Sequence, residues 1–187
     1  QQQPAGTLVC GIGDDAAVFK SAPGVNVVVS SDMLVEDVDF RLSTTTAQSL
    51  GHKALAVSLS DIAAMGARPK WSLISIGVTE ELWKSDFVDQ FYDGLLPLAQ
   101  RYGVTLIGGD LSRTPDQIVI DSVVLGECVS GREVFRRGAQ PGDQIYVTGF
   151  LGDAAAGLRL LERGARLHPD AAHTREHDSV DHLLLRH

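Results

Sequence analysis

The sequence has few cysteines, few basic residues and no long apolar run. Two cysteines in 187 residues cannot form a disulfide framework, which favours a reducing, cytoplasmic compartment. No segment reaches the roughly 18 consecutive apolar residues of a transmembrane helix, and the N-terminus does not resemble a signal peptide. The 16 Lys and Arg stand against 24 Asp and Glu, giving a net charge of −8. This balance argues against a nucleic-acid binder that works through bulk charge, so we expect neither nucleic acid nor a membrane as a partner.

Most acidic residues are aspartates, and many of them lie near the N-terminus. The chain has 17 Asp against 7 Glu, and five of the aspartates fall in the first forty residues: Asp14, Asp15, Asp32, Asp37 and Asp39. Aspartate is a poor helix former that favours loops, helix caps and sites for hard cations. A solvated acidic loop would also explain the excess, so the positions of the aspartates relative to the strands and helices must decide.

Hydrophobic patterning predicts alternating strands and helices. Residues 25–31 are rich in β-branched side chains and predict a buried strand that ends at Asp32. A short strand at 104–107 is followed by Gly108-Gly109-Asp110. The remaining predicted elements are helices over 47–65, 86–102 and about 153–163, and strands over 7–10, 71–78, 118–129 and 145–148.

This order predicts an α/β fold, an α+β sandwich in which helices cover one face of a mixed sheet. We place a domain boundary in the polar segment 130–142, which ends in Pro141-Gly142-Asp143. Residues 1–136 then form an N-terminal domain large enough for one core. Residues 137–187 form the beginning of a second α/β domain that is incomplete.

Three aspartates are predicted at the ends of elements beside glycine or serine. Asp15 follows a glycine-rich loop, Asp32 follows Ser30-Ser31, and Asp110 follows two glycines. Carboxylates, hydroxyls and exposed backbone at strand ends suit Mg²⁺ bound to phosphate oxygens. The alternative for each aspartate is that it caps a turn.

Asp61 is the single residue that most strongly indicates a cation site, because it lies in a predicted helix with apolar or small residues on almost every side. An unpaired carboxylate there would carry a desolvation cost of several kcal/mol, which a cation would remove. Lys53 is two helical turns away, about 12 Å along the axis, and too far for a direct ion pair. The alternative is that Asp61 lies on a solvent-exposed face of small residues.

A set of motifs in fixed order resembles a known family. The motifs are Gly13-Asp14-Asp15, Ser31-Asp32, the block Lys53–Ala67, Gly108-Gly109-Asp110, and Arg136-Arg137-Gly138-Ala139 with Pro141-Gly142-Asp143. Together they resemble the thiamine-monophosphate kinases of the aminoimidazole ribonucleotide synthetase superfamily. The similarity extends from about residue 8 to residue 163, and the block 53–67 is its most specific part.

The resemblance implies ATP- and Mg²⁺-dependent phosphorylation of thiamine monophosphate to thiamine diphosphate by direct in-line transfer, without a side-chain nucleophile. It implies metal ligands at Asp15, Ser30, Ser31, Asp32, Asp61 and Asp110. It implies nucleotide contacts at Tyr92, Gly109, Asp110 and Arg136. Asp39 takes a substrate-contact position at which many relatives have His. A homodimer through the N-terminal domain is also implied.

Family members continue into a second domain with Ser-Asp-Gly-Leu and Gly-Gly-Glu-Asp-Tyr motifs, and neither motif occurs in these 187 residues. Two alternatives therefore remain beside the kinase. One is a non-catalytic, dimerising nucleotide-binding fragment. The other is a different enzyme of the superfamily, such as selenophosphate synthetase, although Cys10 lacks the sequence context expected for that reaction.

Overall fold

The computed structural model describes residues 7–147 and 149–165. It divides the chain into two compact units, Gln1–Ala139 and Gln140–His187. The division falls inside the segment 130–142 that the sequence marks as a boundary. Residues 166–187 of the predicted second domain lie outside the described residues.

The first unit is built on one six-stranded sheet with the order β1-β2-β3-β6-β4-β5. Strands β4 and β5 are parallel, and every other neighbouring pair is antiparallel. The predicted mixed sheet is therefore confirmed. The strands are β1 (Leu8–Cys10), β2 (Ala17–Ala22), β3 (Val25–Val35), β4 (Arg68–Val78), β5 (Thr105–Arg113) and β6 (Val119–Val129).

Several strands differ from the sequence prediction. Asp32 and Asp110 do not follow strands but lie inside β3 and β5, because both strands continue through their polar residues as paired members of the ladder. Strand β2 was missed; it is held by antiparallel pairing with β3 across a turn at Gly24, whose φ is +79°. The strand expected at 145–148 is wrong for residues 145–147, which are not in a strand, and Thr148 lies outside the described residues.

The helices follow the predictions closely. Helix α1 (Ala47–Ala64) begins at Thr46, whose side chain accepts a hydrogen bond from the Ser49 amide at 3.1 Å. A short helix α2 (Glu80–Trp83) was not predicted. Helix α3 (Phe87–Tyr102) ends at Gly103 in the left-handed conformation. In the second unit, α4 spans Asp153–Glu162.

Both long helices cover the same face of the sheet. Helix α1 packs on β3, β4 and β6, and α3 packs on α1. The two helices approach so closely that a Cβ on Gly51 would overlap the Phe91 carbonyl, and one on Gly94 would overlap the Gln48 carbonyl. The core consists of large apolar side chains from these elements, with Leu50, Leu55, Ile74, Phe91, Leu95 and Ile120 fully buried.

The opposite face of the sheet is more open. Along β6 the residues at even positions from Ile120 to Cys128 are buried beneath the helices, whereas Val123 and Leu125 are only half-buried. Met33 and Trp71 on the neighbouring strands are exposed. Within the described residues, no helix combines the length and apolar character needed to cross a bilayer.

Candidate functional site

Four oxygen-bearing side chains gather where β3 passes beneath α1; we call them the carboxylate cluster: Asp15, Ser30, Asp32 and Asp61. Ser30 and Asp32 are two residues apart in β3 and therefore share one face of the strand. The buried Ser30 hydroxyl donates to Asp61 Oδ2 at 2.9 Å and also lies 3.2 Å from Asp32 Oδ2. Ser30 thus bridges two carboxylates from different elements.

The pKa of Asp61 is raised above its usual value, chiefly because burial disfavours the charged carboxylate. The hydrogen bond from Ser30 opposes this rise, whereas the negative charges of Asp32 and Asp15 add to it. The positive charge of Arg136 lowers the pKa. Concentrated negative charge with partial burial is the environment that a cation would stabilise, which agrees with the reasoning from the sequence.

The glycine-rich loop and Arg136 close one side of the cluster. The Asp14 carboxylate accepts the backbone N–H of Asp15 at 3.1 Å and that of Arg136 at 3.3 Å. Gly13 has a φ of +122°, a backbone conformation that favours glycine. The guanidinium of Arg136 donates to Asp15 Oδ1 through Nε at 2.8 Å and through a second nitrogen, and the pKa of Arg136 is raised chiefly by that bond. Asp14 therefore organises the loop, while the Asp15 carboxylate binds the Arg136 guanidinium.

The strand pairing places the other two predicted metal ligands, Ser31 and Asp110, on the open face of the sheet. Ser31 alternates with Ser30 and Asp32, and its hydroxyl donates to Asp121 Oδ1 at 3.1 Å. Asp110 pairs with Ser75, which pairs in turn with Asp121. The sheet therefore separates the six predicted ligands into a group of four and a group of two.

Neither group is a complete metal centre by itself. Among the described residues, no three carboxylate, imidazole or thiol groups are close enough to hold a metal ion. The donors of the carboxylate cluster are hard oxygens, which is the chemistry that Mg²⁺ prefers, and Mg²⁺ commonly completes its octahedron with water and phosphate. The cluster fits a cation that shares its coordination with a phosphorylated ligand.

Three of the predicted nucleotide contacts lie together in one groove of about 660 Å³ beside the edge strand β5. It is lined by Tyr92, Gly109, Asp110 and neighbouring residues of β5, with Ile74 behind. Tyr92 is half-buried, and its burial raises the pKa of the phenol. The volume lies in the range typical of small-molecule sites. Arg136, the fourth predicted contact, bonds to the carboxylate cluster instead.

Asp39, the predicted substrate contact, lies in an exposed turn after β3. Its carboxylate accepts the backbone N–H of Val35 at 2.9 Å. Its carbonyl oxygen accepts a bond from Lys53 Nζ at 2.6 Å, so Lys53 binds this turn rather than Asp61. The side-chain carboxylate and the backbone carbonyl of Asp39 therefore both hold the turn in place.

Two residues with contacts to the predicted ligands were missed in the sequence. Asp121, which binds Ser31, interrupts a strongly apolar strand, and that interruption was a usable signal. Ser58 donates to Asp32 Oδ2 at 2.7 Å and is fully buried. It precedes Asp61 by three residues, a spacing that brings two side chains to the same side of a helix.

Residues 13–128 match the model of the N-terminal domain of AIR synthase related proteins. The chain belongs to this family. The expected resemblance and fold class are thereby confirmed, and the match covers strands β2 to β5, β6 as far as Cys128, both long helices and the carboxylate cluster.

Named relatives and solved structures match most of this chain. A thiamine-monophosphate kinase from Bacillus subtilis (strain 168) is 44% identical over 151 residues, which are 81% of this chain and 46% of the relative. A thiamine-monophosphate kinase structure from Stenotrophomonas maltophilia K279a has a TM-score of 0.75 and 39% identity, covering 97% of this chain and 55% of that one. A structure described as AaThiL complexed with AMPPCP and TMP has a TM-score of 0.79 and 33% identity, covering 94% and 52%. The chain thus spans about half the length of these relatives.

Proposed function

We propose that the protein carrying this chain transfers the γ-phosphoryl group of ATP to thiamine monophosphate, giving thiamine diphosphate, and that it requires Mg²⁺. The observation that carries the proposal is the convergence of Asp32 and Asp61 on the buried Ser30, with the charge of Asp15 acting on Asp61. Similarity to proteins named thiamine-monophosphate kinase, one of them complexed with AMPPCP and TMP, supports the choice of reaction.

In this proposal, the carboxylate cluster and, on the open face, Ser31 and Asp110 hold the metal ions. Bound Mg²⁺ would neutralise the negative charge of the phosphates while the γ-phosphoryl group is transferred. The chain's own residues bind and orient the reactants. Tyr92 and Gly109 line the groove for the nucleotide, Arg136 contacts its phosphates, and Asp39 contacts the thiamine phosphate. In-line transfer needs positioning and charge neutralisation, so no side chain serves as a nucleophile.

The direct test uses the protein expressed from its complete open reading frame. It is incubated with ATP, Mg²⁺ and thiamine monophosphate, and thiamine diphosphate is measured by chromatography. We expect one thiamine diphosphate for each ATP consumed, and no product when Mg²⁺ is removed with a chelator. Absence of thiamine diphosphate in the presence of all three components would refute the proposal.

Replacing Arg136 with alanine should weaken nucleotide binding by about tenfold, the effect expected when one charge-assisted contact to a phosphate is lost. Thermal stability should hardly change, because Arg136 is exposed and exposed ion pairs contribute little. Titration calorimetry with Mg-ATP measures the affinity. The matched control is Arg137→Ala, which removes the same charge from the neighbouring position, where Arg137 lies over the Phe135 ring. Equal losses in both variants would contradict a specific role for Arg136.

We further propose that the protein forms a homodimer through the open face of the sheet. Apolar side chains that the helices do not cover, among them Met33, Trp71 and Leu125, support this assignment. Sedimentation equilibrium should give twice the mass of the chain. A dimer that binds Mg-ATP without turnover would favour the non-catalytic alternative. Turnover by the 187-residue chain itself would exclude that alternative.

A further inference from the structure

Two buried hydroxyl groups lie directly behind Asp32. Ser58 on α1 and Ser122 on β6 are both fully buried, in a core made mostly of apolar side chains. Ser58 Oγ lies 2.7 Å from Asp32 Oδ2, 3.0 Å from the Ser122 carbonyl oxygen and 3.1 Å from Ser122 Oγ. The two serines therefore connect the sheet, the helix and the carboxylate cluster.

The number of hydroxyl protons determines which serine donates each hydrogen bond in this network. Ser58 has a single hydroxyl proton, and its shortest contact is with a carboxylate, the strongest acceptor of the three. If the proton pointed at the Ser122 carbonyl instead, two unprotonated oxygens would face each other at 2.7 Å in a buried site. Ser58 therefore donates to Asp32, and the hydroxyl proton of Ser122 is the one available for Ser58 Oγ.

The network acts on one oxygen of Asp32. The contacts from Ser30 and Ser58 both go to Oδ2. Among the described residues, no hydrogen bond reaches Oδ1. Because Ser30 donates its one proton to Asp61, Ser58 is the buried donor to Asp32. A carboxylate held on one oxygen by a buried donor keeps its orientation and leaves the other oxygen available to a ligand.

We propose that Ser58 and Ser122 are positioning residues for the metal site: Ser122 orients Ser58, and Ser58 fixes the Asp32 carboxylate for binding a divalent cation. This inference rests on the proposed function, in which Asp32 is a metal ligand. Neither serine contacts the cation itself. The effect of each serine therefore passes entirely through Asp32.

Ser72 provides an internal comparison for this role. It is also a fully buried serine in the sheet, on β4, but its hydroxyl has no hydrogen-bond partner. If buried serines served only to fill space beneath the helices, replacing Ser58 or Ser72 would have the same consequences. If Ser58 orients Asp32, only its replacement changes metal binding.

The test measures binding of Mn²⁺ alone, by electron paramagnetic resonance, to the complete protein and to Ser58→Ala, Ser122→Ala and Ser72→Ala. We expect Ser58→Ala to weaken Mn²⁺ binding by about 10- to 100-fold, the usual effect of removing a group that orients a metal ligand. Ser122→Ala should weaken binding less, and Ser72→Ala should leave it unchanged. In turnover assays, Ser58→Ala should raise the Mg²⁺ concentration needed for half-maximal rate and regain most of kcat at saturating Mg²⁺.

The possible failures are distinguishable. If the wild-type protein forms no thiamine diphosphate with ATP and Mg²⁺, the proposed function fails and this inference fails with it. If it forms the product but binds no Mn²⁺ without nucleotide, the Mg²⁺ dependence of turnover decides, and an unchanged half-maximal Mg²⁺ concentration in Ser58→Ala overturns the inference. If the wild type binds Mn²⁺ and Ser58→Ala binds it equally well, only the positioning role is overturned. If Ser58→Ala does not fold, as judged by urea unfolding without metal, Ser122→Ala decides, and an unchanged Mn²⁺ affinity in that variant overturns the inference.

Discussion

Replacing Asp61 with asparagine is expected to abolish Mg²⁺-dependent nucleotide binding, with a loss of about 100-fold or more in affinity. Asp61 is the member of the carboxylate cluster that accepts the Ser30 hydrogen bond, and the negative charges of Asp32 and Asp15 raise its pKa. Asparagine keeps the size of the side chain and an oxygen that can accept from Ser30, but it removes the negative charge. The change therefore removes the charge while it keeps the size of the side chain and one acceptor oxygen.

The fold of Asp61→Asn should remain intact. Because the pKa of Asp61 is raised in the folded state, its stabilising effect is complete below the unfolded pKa and is lost as pH rises through the folded pKa. At neutral pH the ionised carboxylate is thus unfavourable for folding when no cation is bound. We expect the metal-free variant to unfold at a urea concentration no lower than that of the wild type at pH 7.

Calorimetry with Mg-ATP and urea unfolding without metal separate the two effects. The matched control is Asp93→Asn, which makes the same charge change at an exposed position in helix α3. The control should bind Mg-ATP like the wild type. A variant Asp61→Asn that loses stability but keeps its affinity for Mg-ATP would show that Asp61 is not a ligand.

Local sequence signals predicted the helices well because the determinants are themselves local. Thr46 caps α1 through a contact three residues away, and Gly103 ends α3 in the left-handed conformation. In both cases the residue that sets the boundary is a neighbour in sequence. The same reasoning placed Asp61 in a helix and identified its burial as unfavourable without a positive partner.

The strands were predicted less well because their lengths depend on partners far along the chain. Ser30 to Asp32 reads as the end of an apolar run, yet β3 continues to Val35 because β6 pairs with every residue of it. A strand ending at Asp32 would have presented its polar residues together. In a continuous strand, alternation sends Ser30 and Asp32 beneath α1 and Ser31 to the open face.

The register of β5 could not be read from the sequence either. Between the pairs Ser72–Leu106 and Leu73–Gly108, the strand contains one extra residue, Ile107. Such a bulge reverses which side chains face each side of the sheet, and it places Asp110 opposite Ser75. Only the pairing with β4 determines this, because nothing in residues 104–110 alone specifies a partner.

Gly109→Ala is expected to destabilise the first unit by about 3 kcal/mol or more, from overpacking and backbone strain together. Gly109 has a φ of +145°, a conformation that L-residues rarely adopt. A Cβ there would also overlap the carbonyl oxygen of Ile74 and lie 2.6 Å from its carbonyl carbon. Both atoms belong to the backbone of the neighbouring parallel strand, so neither can move aside without distorting the sheet.

Gly108→Ala is the control, one residue away in the same strand. Its Cβ would meet only the Leu73 side chain at 3.7 Å, an ordinary contact, so we expect a change in unfolding free energy below about 1 kcal/mol. Urea unfolding of both variants measures the difference. Equal effects would contradict the close approach of β5 to Ile74. A large effect confined to Gly109 would show that the fold requires this close approach of β5 to the Ile74 backbone.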